Sequence, residues 1–83
     1  MEMTLTGRVQ GIEVHSPWKA LVLHPAERLD KKFYTSCKVI LDGENARTEY
    51  KIGDLVLFGV RYISVKDKCL KIFAETALVM ESV

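Results

Sequence analysis

The chain has no long apolar run. None approaches the roughly 20 consecutive residues that a helix needs to cross a bilayer. The opening MEMTLTGRVQ has neither the basic nor the apolar stretch with which a secretory signal begins. From both absences a cytoplasmic protein is expected. Cysteine is scarce. Cys37 and Cys69 lie in apolar-patterned segments without CxxC spacing, and with only two histidines they compose no convincing zinc site; they read as free, buried thiols, with a disulfide between them as the alternative. An excess of either charge is also missing. Twelve basic against eleven acidic residues leave +1, so any affinity for a polyanion must come from where the charges are placed rather than from their sum.

Catalytic groupings are missing too. His15 and His24 flank a short apolar segment with no serine, cysteine or carboxylate at a telling spacing. Asp30, Asp42, Asp54 and Asp67 fall at turns, where carboxylates cap and bend chains. Gly7 and Gly11 lie within a strand and precede no helix, so they make no phosphate-cradling loop. No enzyme and no cofactor is expected.

What is present is alternation. The 83 residues suffice for one domain, and 48% hydrophobic with 28% charged composition is that of a folded chain. In MTLTGRVQGIEV, Met3, Leu5 and Val9 share one phase and Ile12 and Val14 the other. The change falls at Gly11, where a bulge or bend meets no Cβ. Pro17 enforces a loop before a second strand, KALVLH, and PAERLDKK is a polar connector. Residues 33–42 form a third strand, with Cys37, Val39 and Leu41 inward and Tyr34, Ser36 and Lys38 outward. GENARTEYK reads as a short helix or pair of turns with Ala46 and Tyr50 on one face. A Gly53-Asp54 turn leads into a long fourth strand. KDK is a tight hairpin tip, and CLKIFAETALVME is a last strand with a possible break near 74–77.

Five strands and one helical connector between the third and fourth, with no βαβ alternation, define an all-β domain. So small a sheet protects its edges best by curling into a barrel, and a glycine-kinked first strand lets it join two sheets. The expected architecture is a partly open five-stranded barrel of the OB-fold kind, plugged at one end by the helix.

The segments TLTGRV, CKVILDGENARTEYKIGDLVLFGVRY and KDKCLKIFAETALVME, in that order, resemble the single-stranded DNA-binding proteins of bacteria and their phages. Those proteins have a strand ending in glycine, a short helix with a conspicuous alanine, a KxGDxVxxxG strand and a closing hairpin running into AExxxxL. The resemblance implies an OB-fold that grips single-stranded DNA in replication, recombination or repair, in a bacterium or a phage-infected cell. This chain lacks the acidic or glycine-rich tail of that family, ending at MESV.

Gripping a single strand requires exposed rings interleaved with cations on one sheet face. The candidates are Trp18, Tyr34 and Phe73 for stacking, with Arg8, Lys19, Lys32, Lys38 and Arg61 for phosphate. Apolar segments such as LVLFGVRYI and ALVM add the expectation of a homodimer. The competing reading is a protein-interaction or structural module of a phage or larger assembly, which the near-neutral charge favours.

Overall fold

The computed structural model describes residues 3–25 and 36–83. The polar connector beyond Pro25, residues 33–35 of the expected third strand and the candidate residues Lys32 and Tyr34 lie outside the described residues, while Pro25 itself ends the second strand.

Five strands and one helix follow the expected order: β1 (Met3–His15), β2 (Trp18–Pro25), β3 (Ser36–Leu41), α1 (Gly43–Arg47), β4 (Leu55–Lys66) and β5 (Cys69–Glu81). They close into a barrel in the order β1-β2-β3-β5-β4, with β4 returning to β1. The β3–β5 pair is parallel and the other four pairs are antiparallel. This is the OB-fold topology, and the barrel is closed rather than partly open. Closure removes most of the unpaired strand edges that a small sheet would otherwise expose.

The alternation anticipated in the sequence directs side chains as expected. Cys37, Val39 and Leu41 of β3 are buried, and they meet Leu21, Val56, Phe58, Leu70 and Ile72 from the other strands. In β1 the register shifts between Val9 and Gly11, so Val9 and then Ile12 both reach the core on either side of the irregularity. β5 is unbroken through Glu81. The expected break appears instead as paired register shifts against β4 between Gly59 and Tyr62. A Cβ on Gly59 would collide with the Thr76 hydroxyl, which explains a residue without one at this bend.

The five-residue α1 is too short to hold itself together. Tertiary contacts fix it. Ala46 and Tyr50 are both buried against the barrel core. The Tyr50 hydroxyl donates to the Asn45 carbonyl at 2.9 Å, and the Asn45 amide donates to the Glu75 carbonyl at 3.0 Å. At the entry to β4, the buried Asp54 carboxylate accepts the backbone N–H of Lys51 (2.9 Å) and of Val83 (3.1 Å). Gly53 holds a φ of +98°, which only glycine adopts without strain, and Val83 packs where a Cβ would stand.

β4 outruns its partner. Its pairing with β1 ends at Met3–Val60, whereas its pairing with β5 continues to Lys66–Cys69. Among the described residues, Arg61–Lys66 is therefore paired along one side only. This arm ends in a two-residue turn, Asp67 and Lys68, both at positive φ as a right-twisting hairpin demands.

Candidate nucleic-acid interface

The register places side chains on the outer surface in rows across the strands. One row runs from Glu13 (β1) through Ala20 (β2), Ile40 (β3) and Phe73 (β5) to Tyr62 (β4). The next runs from Gly11 through Val22, Lys38 and Lys71 to Ser64. His15 and Trp18 face each other at the β1–β2 turn, one step beyond Glu13.

Two pairs of stacked rings bracket this surface. Tyr62 lies on Phe73 with ring centres 4.3 Å apart and planes within 14°. Phe73 is half-buried between Tyr62 and Ile40, while Tyr62 is 53% exposed at the unpaired side of the arm. At the other end the Trp18 ring lies on His15, again at 4.3 Å.

Cations lie between and beside these rings. Lys38 and Lys71 are neighbours on adjacent strands, so their ammonium groups repel unless an anion serves them. Lys38 is served from within. Its Nζ donates to both oxygens of Glu13, at 3.2 and 2.9 Å, spanning β2, where Ala20 opposite Glu13 is almost fully covered. The His15 Nε2 lies 3.3 Å from the same carboxylate. The Lys38 bond, then the His15 contact, hold the Glu13 carboxyl below its ordinary pKa, and the Glu13 bond raises that of Lys38. Lys71, Arg61 and Lys66 make no ion pair with any described residue.

The charge of the chain is concentrated on the arm. Residues 61–73 hold Arg61, Lys66, Lys68 and Lys71 against Asp67 alone, net +3 in a chain of total +1; the other seventy residues therefore sum to −2. A near-neutral protein thus carries a basic projection beside an aromatic pair.

Among the sequence candidates, Lys38 and Phe73 come together on this surface, with Trp18 at its far end and Arg61 on the arm. Arg8 and Lys19 are drawn elsewhere. Lys19 shares the inward phase of Leu21, and at the end of the barrel its Nζ donates to the Thr48 carbonyl (3.1 Å) and sits 5.8 Å from the Tyr50 ring centre. It fastens the helical plug. Arg8 donates to the Gly53 carbonyl (3.1 Å) and pairs with Glu81 (2.8 Å), turned toward the far side of β4. Tyr62 and Lys71, which were not among the sequence candidates, join Phe73 and Lys38 on this surface. The hairpin tip held the signal for both: a two-residue turn at 67–68 sets Tyr62 opposite Phe73 and Ser64 opposite Lys71.

The two cysteines are free. Burial pushes the Cys37 thiol up to about 11, which keeps it protonated and unreactive at neutral pH.

The fold and surface define a small OB-fold barrel with one aromatic, cation-bearing face. Comparison of the chain with family models, with curated proteins and with solved structures finds no match.

Proposed function

We propose that the protein binds single-stranded nucleic acid, DNA ahead of RNA, without strong sequence preference. The observation that carries this reading is the basic β4–β5 arm with the Tyr62–Phe73 stack at its root, continuous with the outer surface of β2 and β3. In OB-folds that surface and the loops after β1 and β4 are where oligonucleotides lie. A base has a π-face of any sequence to lay on the open side of Tyr62, and Lys71 and Lys66 are free to take phosphates, with Arg61 at the edge of the neighbouring groove. Trp18 on His15 offers a second ring at the far end. Lys38 takes part once its partner is displaced. The context is the one the sequence resemblance implies: replication, recombination or repair in a bacterial or phage-infected cytoplasm.

The test is titration of the protein against labelled oligo(dT) at low salt, followed by anisotropy and by Trp18 fluorescence. Binding that weakens steeply as salt rises supports the proposal. Absence of any anisotropy change at micromolar protein refutes it.

A second reading, a protein-interaction or structural module, draws on the outer surface where β1, β4 and β5 meet. There Met3, Leu78 and Met80 are each more than half exposed, and Met3 and Leu78 border a shallow groove of about 580 Å³ beside Leu57, Gly59, Arg61 and Glu75. A second copy covering this face would make the expected homodimer. Association through it would be insensitive to salt, unlike nucleic-acid binding.

A further inference from the structure

We infer that Glu13 sets the affinity of this face, by competing with nucleic-acid phosphate for the ammonium of Lys38. The inference rests on the reading of the face as a single-strand site and adds to it a residue that opposes binding.

Glu13 stands at the Trp18 end of this surface, and its bonds reach from His15 across β2 toward the Phe73–Tyr62 stack. His15, which carries the Trp18 ring, contacts one carboxylate oxygen, and Lys38, next to Lys71 and one row from Phe73, takes both. A strand running from Trp18 to Tyr62 passes over this carboxylate. The Lys38–Glu13 pair is about one-third exposed on each side. An exposed pair of this kind is weak enough to exchange partners. The cost of exchange is specific. A phosphate that takes Lys38 sheds its own condensed cation but leaves Glu13 unpaired beside it, and that freed carboxylate recruits a cation in turn, so little net ion release remains. Lys71, with no such partner, gives the full ionic gain.

Removing the charge of Glu13 turns Lys38 into a second cation like Lys71. Glu13→Gln raises affinity for oligo(dT) several-fold at low salt. It also steepens the dependence of log K on log salt by about 0.7, the increment for one further phosphate contact on a single strand. Glu81→Gln is the control, because it removes the same charge and frees Arg8 on the other side of the barrel. In a Lys38→Ala background, Glu13→Gln has no such effect.

The measurement is anisotropy across a salt series for these four proteins and the wild type, with circular dichroism confirming that each is folded. A steeper slope for Glu13→Gln alone supports the inference. Equal gains for Glu13→Gln and Glu81→Gln, an unchanged slope, or a gain that persists without Lys38 each overturn it while leaving the binding function intact. Failure of every protein to bind removes the function and this inference together.

Discussion

Replacing Tyr62 by alanine separates stacking from charge. The ring is 53% exposed and makes its contact with Phe73 at 4.3 Å, so its loss removes a platform without opening the core. The stacked pair contributes about 0.5–1.5 kcal/mol beyond its area. A domain of this length has roughly 4–12 kcal/mol of stability in hand, so the variant stays folded. Losing one base–ring contact costs about 1–3 kcal/mol of binding, a fall of roughly 5- to 150-fold in affinity. The contact is not ionic. Plots of log K against log salt for wild type and Tyr62→Ala are therefore parallel and displaced. Tyr62→Phe retains the π-face and stays within about twofold of wild type. The assay is oligo(dT) anisotropy over a salt series, with circular dichroism as the folding check. Tyr62→Ala within twofold of wild type, or a flatter line instead of a displaced one, refutes the assignment of Tyr62 as a stacking platform.

Lys71→Ala has the complementary signature: the salt slope in the same assay flattens by about 0.7 because one phosphate contact is gone. Phe58→Ala, at a side chain with no exposed surface, costs about 3–5 kcal/mol and lowers the thermal midpoint sharply in calorimetry. Asp54 sets an acid limb. The Lys51 and then the Val83 N–H hold its folded pKa below the ordinary value, so its contribution is complete above the ordinary carboxylate range and is lost as pH falls through the depressed one. Asp54→Ala melts lower at neutral pH and loses less on acidification, and equal acid limbs in the two proteins exclude this linkage.

Period-two patterning was enough to place β3, β4 and the β1 irregularity, because each strand has one buried face and a slip would expose it. The helical plug was legible as well, from Ala46 and Tyr50 four residues apart. Periodicity gives the side of a strand, however, and not its neighbour. Nothing in the pattern of β3 announces that it lies parallel to β5, and that pairing is what sets Ile40 beside Phe73 and Lys38 beside Lys71. Long side chains were the least legible part. Arg8, Lys19 and Lys38 each reach a partner 25 or more residues away, and those partners are fixed by barrel closure. Tyr62 was within reach of the hairpin geometry, since the two-residue turn at 67–68 fixes its pairing with Phe73.

Among the described residues the charge is segregated, with net +3 on residues 61–73 and −2 on the rest, so the positive end lies toward the Asp67–Lys68 tip. A nearly uncharged body of this kind drifts little in a uniform field but turns readily within one. Near a polyanion it arrives tip first, with Tyr62 and Phe73 just behind the point of landing. It would also adhere to a cation exchanger at a pH where its isoelectric point of about 7.8 predicts only weak retention.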